Sequence, residues 1–135
     1  MSTISEKSSL LLLFNHRLTA VQEADARASL GVDRIIAPPG PIQDLWSQVP
    51  PEIEDLARYL SPVLAWLASM GRPGDFVLVQ GDFGATCLAV REAHRLGLVP
   101  VYSTTSRQAE EEHLPDGRVE VSHVFAHVRY RRYDD

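Results

Sequence analysis

An α/β fold is what this sequence predicts: a parallel sheet of order 2-1-3-4, helices on both faces, and a C-terminal antiparallel hairpin added at one edge. Three observations predict it. Short, wholly apolar runs alternate with segments of helical period. Glycine and proline punctuate the joins between them. In the last third the pattern changes to period-two alternation around Pro115-Asp116-Gly117, a turn signal.

Residues 1–8 are polar and read as frayed. Residues 10–14 form a continuous apolar run, the pattern of a strand buried on both faces, and it stops at Asn15-His16-Arg17. Thr19 and Gln22 fit a capping box, so a helix starts there and runs to Leu30, with Gly31 suited to a left-handed end. Residues 34–37 are a second short strand, closed by Pro38-Pro39-Gly40-Pro41. Residues 42–48 make a helical turn or two. Pro51 suits a helix start, and Pro62 should kink that helix or divide it. Ile53, Leu56, Ala57, Leu60, Leu64 and Leu67 follow at helical spacing; Tyr59, Val63, Trp66 and Met70 form a second stripe beside them. So wide an apolar arc is covered either by residues 42–51 or by a second subunit.

Residues 76–79 are a third buried strand, and Gln80 to Thr86 form a glycine-bracketed turn into a helix. Its core stripe is Ala85, Leu88, Ala89, Ala93 and Leu96, with Gly97 closing it. Residues 99–102 are the fourth strand, where Pro100 sits uneasily if both sides are paired. Ser103 to Arg107 then reads as its polar tip. Residues 106–113 are either the first arm of the hairpin or a short helix, since Gln-Ala-Glu-Glu-Glu favours helix.

A chain of 135 residues fits one domain, residues 1–135, with a core that needs neither disulfide nor metal. The net charge of −5 argues against a surface that coats long nucleic acid. The single Cys87 lies among apolar helix residues and reads as a buried, inert thiol. No apolar run is long enough to span a membrane, and residues 10–14 are too short for a secretory leader, so the expectation is cytoplasmic.

In such a sheet, ligands bind beyond the carboxyl ends of the strands, where the order reverses. Three polar tips fall there: Asn15-His16, Gln80-Gly81-Asp82, and Ser103-Thr104-Thr105 with Arg107. Asn15 and Gln80 offer amides for a base edge or a sugar hydroxyl. Gly81, Phe83, Gly84 and Thr86 line a turn whose N–H groups could hold a phosphate, although the glycines could equally serve the turn alone. Asp82 could accept from a ribose or simply cap its helix. Arg107 has the fork geometry for phosphate, and His16 brings an imidazole, the side chain most used for proton transfer. His123 and His127 stand four apart, but no third metal ligand is at hand, and no metal or other cofactor is expected. No Ser–His–Asp order or nucleophile elbow is visible, which speaks against a covalent intermediate.

The motifs Phe14-Asn15-His16-Arg17-Leu18-Thr19, Leu45-Trp46, Val79 to Thr86, Val101-Tyr102-Ser103-Thr104-Thr105, Leu114-Pro115-Asp116-Gly117 and His123 to Arg131 occur in that order. Together they resemble a small CRISPR-associated accessory family of type III systems, the member of the Csx series numbered twenty. The resemblance implies a Rossmann-like (CARF-like) homodimer that binds cyclic tetra-adenylate across its two-fold. It implies a ring nuclease, linearising the ring without metal through 2′-hydroxyl attack, or else a protein that binds the ring without cutting it. Position and residue chemistry, not the resemblance, then assign the roles expected in that reaction: His16 transfers the proton, Arg107 stabilises phosphate and Asp82 orients ribose or His16.

Overall fold

The apolar run near the N-terminus becomes the middle of the sheet. In the computed structural model, which describes residues 7–134, β1 (Ser9–Leu13) pairs in parallel with β2 (Arg34–Ile36) on one side and β3 (Phe76–Val79) on the other. β4 (Val99–His113) lies parallel to β3, and β5 (Val119–Arg132) returns antiparallel to β4. The order is β2-β1-β3-β4-β5, a mixed α/β arrangement with a C-terminal antiparallel pair. The expected order 2-1-3-4 is present, but no separate hairpin is added to its edge. β4 itself continues to His113 and is one arm of the hairpin. The frayed reading of residues 1–8 falls mostly outside the described range; within it, Ser8 accepts from Asp33 N–H and donates to the Gly74 carbonyl.

Both faces of the central strands are covered. Leu10 and Leu78 join Phe76, Val101 and Tyr130 under the segment after β1, with Ala26 and Val32. That segment is α1 (Ala20–Asp25), which runs on into a π-helical stretch, Ala26–Leu30. Leu11, Leu13, Val77 and Val79 face the other way, against α2 (Gly40–Ser47), α4 (Ser61–Met70) and α5 (Phe83–Arg95). Leu10, Leu11 and Leu13 are fully buried, each worth about 1.5–3 kcal/mol of hydrophobic stabilisation.

Local chemistry explains the ends. Thr19 Oγ1 accepts from Gln22 N–H at 3.1 Å while Gln22 Oε1 accepts from Thr19 N–H at 2.9 Å, the reciprocal box the sequence predicts. Gly31 at φ 69° ends the segment in the left-handed region. The helix expected from Pro51 starts later: residues 51–52 are a turn, and Asp55 caps the short α3 (Leu56–Tyr59) by accepting from Arg58 N–H. Pro62 divides α3 from α4, sitting in the first turn of α4 where its missing N–H costs nothing. The second apolar stripe is covered from within the chain except at Met70, which stays exposed. Val63 and Trp66 are buried with Trp46 of α2, and Tyr59 Oη donates to the Leu45 and Gln48 carbonyls.

Pro100 fits a doubly paired strand for a geometric reason. Its carbonyl accepts from Tyr133 N–H, so its nitrogen faces the same side, beyond the end of β5, and no bond to β3 is lost. Residues 106–113 are strand rather than helix, because ladder pairing with β5 outweighs a modest local helix preference. Cys87 is exposed on α5, correcting the buried reading: it falls between the inward-facing Ala85 and Ala89. No helix of the described residues is long and apolar enough to cross a membrane.

Candidate functional site

The carboxyl ends of β1, β3 and β4 are tied together at one level. Gln80 N–H donates to the Leu13 carbonyl at 3.0 Å, and Gln80 Oε1 accepts from Ser103 N–H at 2.8 Å. The side chain of Gln80 thus extends the ladder where the strands begin to part. Phe14 is held from the other side, its carbonyl accepting from Gln43 Nε2 at 2.8 Å. Beyond this level Asn15 and His16 are exposed, with the His16 ring edge-on to Phe14 at 5.6 Å. Phe83, the first residue of α5, is 91% exposed.

The Gln80–Thr86 turn is shaped by its own neighbours. A Cβ on Gly81 would come within 2.9 Å of Trp46 Nε1, and that indole donates to the Gln80 carbonyl at 3.1 Å. A Cβ on Gly84 would meet Leu56 at 2.8 Å. Asp82 caps α5, its carboxylate accepting from Ala85 N–H at 3.0 Å. A negative charge therefore already sits at this helix end, where a phosphate cradle would need an open positive one. Thr86 Oγ1 is closed off from solvent and has no hydrogen-bond partner among the described residues.

Ser103, Thr104, Thr105 and Arg107 lie within β4 instead of on a loop at its tip. Hydroxyl residues suit strands as well as turns, and β5 supplies the partners that keep the chain extended. Thr104 Oγ1 bridges to Arg129, donating to its carbonyl and accepting from its N–H. Arg107 is exposed four residues beyond Ser103, about 13 Å up the hairpin, so it is not gathered with the strand ends.

What the structure does gather is a polar chain beneath α1. Ser103 Oγ lies 2.5 Å from His127 Nδ1, and His127 Nε2 lies 2.6 Å from Asp25 Oδ2. Gln22 Nε2 donates to Ser103 Oγ at 3.4 Å, Tyr130 Oη donates to the Gln22 carbonyl at 2.8 Å, and Ser29 Oγ donates to Asp25. The bonds are mutually consistent if Asp25 accepts from Nε2–H, Nδ1 accepts from Ser103, and Ser103 accepts from Gln22. The Ser29 and His127 hydrogen bonds, in that order, lower the Asp25 pKa; burial opposes them, and the nearby Arg129 charge adds to the lowering. Burial, with the Asp25 charge second, pushes the Tyr130 phenol up to about 12.

A bulge makes this chain possible. Thr104 pairs with Arg129 but Thr105 pairs with His127, leaving Val128 as the extra residue. Without it, His127 would stand three residues from Tyr130 on the opposite face; the insertion turns it onto the face of Ser103. The Ser–His–Asp contact that sequence order did not reveal is thus present in space, in the order Asp25, Ser103, His127. It lacks two parts of a nucleophilic triad. Ser103 is only 6% exposed and the His127 side chain 4%, and the Ser103 N–H is spent on Gln80, so it cannot serve as an oxyanion donor. The one legible signal for Asp25 is its position three residues after Gln22, on the helix face that Ala26 shows to be buried.

A family described as the uncharacterized protein MJ1673 family matches residues 8–131. The chain belongs to the MJ1673 family. It is similar over 125 residues to the uncharacterized protein MJ1673 of Methanocaldococcus jannaschii, at 43% identity, covering 93% of this chain and 96% of that protein. No solved structure matches. The stretch shared with the MJ1673 family takes in both the exposed strand ends and the Asp25–His127–Ser103 chain. Among its described residues, no three of His, Cys, Asp and Glu are grouped so as to hold a metal ion. A groove of about 850 Å³ lies at the opposite, amino end of the sheet, between Ser9, Arg34, Met70 and Asp75. Its floor is committed, since the Asp75 carboxylate accepts from both Ser9 and Arg72 N–H groups.

Proposed function

We propose that this MJ1673-family protein is a ring nuclease that binds and linearises cyclic tetra-adenylate, and so switches off type III CRISPR signalling. The sheet order and its C-terminal antiparallel pair support reading the fold as Rossmann-like, of the CARF kind, acting as a homodimer with the ring across the two-fold. The ligand class comes from the motif resemblance. The observation that carries the reading onto this structure is the set of strand ends locked at Leu13, Gln80 and Ser103, with His16 and Phe83 exposed just beyond them.

Phe83 offers a face on which adenine stacks. Asn15 and His16 reach the ribose and phosphate edge. In the cleavage step the ribose 2′-oxygen attacks the adjacent phosphorus and the P–O5′ bond breaks. The 2′-proton passes to a base, for which His16 is the exposed imidazole at these ends, and the 5′-oxygen takes up a proton as it leaves. The products carry 2′,3′-cyclic phosphate and 5′-hydroxyl ends, and holding the ring in line supplies much of the rate. Asp82 acts here as the cap of α5, and Arg107 belongs to the hairpin. A binding-only protein is the second reading, favoured by Asp82 being spent on the α5 cap and Arg107 lying within β4, which leaves His16 without the two partners expected to assist it.

Incubation of the purified protein with cyclic tetra-adenylate and chelator, followed by chromatography after denaturation, tests this. Linear products with cyclic phosphate ends are expected, and His16→Ala is expected to slow their formation roughly 10²-fold or more while leaving the fold intact. Intact ring recovered from a tight complex would mean sequestration, and absence of binding would sink both readings.

A further inference from the structure

Gln80 is pinned at every polar group but one. Its N–H donates to the Leu13 carbonyl at 3.0 Å, its carbonyl accepts from the Trp46 indole at 3.1 Å, and its Oε1 accepts from Ser103 N–H at 2.8 Å. The last bond fixes which way round the amide sits. A backbone N–H can only donate, so the side-chain atom facing it is the oxygen; a turned amide would set N–H against N–H. Nε2 is the arm left over, and it has no partner among the described residues. The half-buried Gln80 is not closed over it, since among those residues the unpartnered side-chain atom shut off from solvent is Thr86 Oγ1. A fixed amide with two unused N–H groups thus stands open at the ends of β1, β3 and β4, a donor set in place before any ligand arrives.

What it meets follows from its neighbours. The Asp82 carboxylate, two residues on at the cap of α5, repels a phosphate there. Phe83 follows it, 91% exposed, with a face on which a base stacks. A flat, neutral group with an acceptor on its edge suits both neighbours, and a phosphate suits neither. Glutamine reads adenine with both ends of its amide, giving to a ring nitrogen and taking from the 6-amino group. Here the oxygen is already held by Ser103, which leaves the first of those bonds alone.

We propose that Gln80 Nε2 recognises the base, donating to a ring nitrogen of an adenine stacked on Phe83. This deepens the ring-binding reading and rests on it, whether or not the ring is then cut.

Calorimetric titration with cyclic tetra-adenylate, chelator present, tests the contact from both sides. Gln80→Glu keeps an oxygen for Ser103 N–H and puts a second oxygen where Nε2 stands. Its urea midpoint should stay near that of the wild type while its affinity for the ring falls about tenfold or more. On the ligand side, rings built from 1-deaza-, 3-deaza- or 7-deaza-adenosine each replace one nitrogen by C–H. One of the three should bind the wild type about tenfold or more weakly than the parent ring does, and Gln80→Glu should bind that ring no worse than the parent. If Gln80→Glu unfolds more easily, the three analogues on the wild type decide alone. Analogues that all bind like the parent would overturn the proposal, as would a folded Gln80→Glu protein that binds the parent ring at full strength. Either result leaves ring binding itself standing. A wild type without affinity for the ring removes the ring-binding reading and this contact with it.

Discussion

The Thr86 hydroxyl sits inside the first turn of α5, shut away from solvent and without a partner among the described residues. A buried hydroxyl with no partner costs roughly 1–3 kcal/mol of lost hydration. Thr86→Val keeps the shape and removes the cost, so it should raise stability by about 1 kcal/mol in urea or thermal unfolding. If the hydroxyl met the ligand, ring binding would fall at the same time; unchanged binding with raised stability is the expected result. Tyr130 is a second residue with a measurable signature. Its phenol titrates near 12 when folded, against an ordinary value of about 10 in the unfolded chain. A raised folded pKa contributes stability that is complete below about pH 10 and is lost as the pH climbs to about 12. Tyr133 is pushed up to about 12 by burial, with Tyr102 and Cys87 adding, and shares that window. Tyr130→Phe should therefore flatten about half of the alkaline loss while costing about 1 kcal/mol at neutral pH for the bond to Gln22. An alkaline slope equal to that of the wild type would show that burial of this phenol is not what raises it.

At the level of elements, the Gln80–Thr86 turn is a packing device before it is anything else. Gly81→Ala should cost about 1–3 kcal/mol, because the new Cβ meets the rigid Trp46 ring at 2.9 Å in a well-filled core. A loss of under 0.5 kcal/mol in chemical denaturation would mean that the indole shifts freely. These contacts also show where the sequence was readable and where it was not. The capping box at Thr19 and Gln22 is local chemistry, legible from four adjacent residues, and the buried strands of residues 10–13 and 76–79 declare themselves by being wholly apolar. The tip at Ser103 misled because serine and threonine suit a loop and a strand alike, and only the distant β5 decides between them. Trp46 against Gly81 links positions 35 apart, and no local pattern encodes it. Least visible was the pairing of Asp25 with His127: it depends on one bulged residue, Val128, and a shift of one position reverses which face a side chain takes.

Across the whole molecule, a layered body and a protruding arm do different work. The body holds the strand ends that carry the proposed ring chemistry, and the arm stands beyond them as a two-stranded ribbon. The polar chain beneath α1 is where they join: Gln22 and Asp25 come from the body, while Ser103, His127 and Tyr130 come from the base of the arm. That junction has a consequence for the order of folding. β4 and β5 are joined by a short turn at residues 114–118, so their ladder closes locally and on a microsecond scale. The parallel pair Leu10 and Phe76 must instead wait for the long intervening chain to close. A ribbon formed early cannot persist unaided, and its attachment to α1 through His127 gives it a foothold on the body. The bulge at Val128 is therefore the register mark of that foothold: a ribbon paired one residue out of step would turn His127 to the other face and lose its bonds to Asp25 and Ser103.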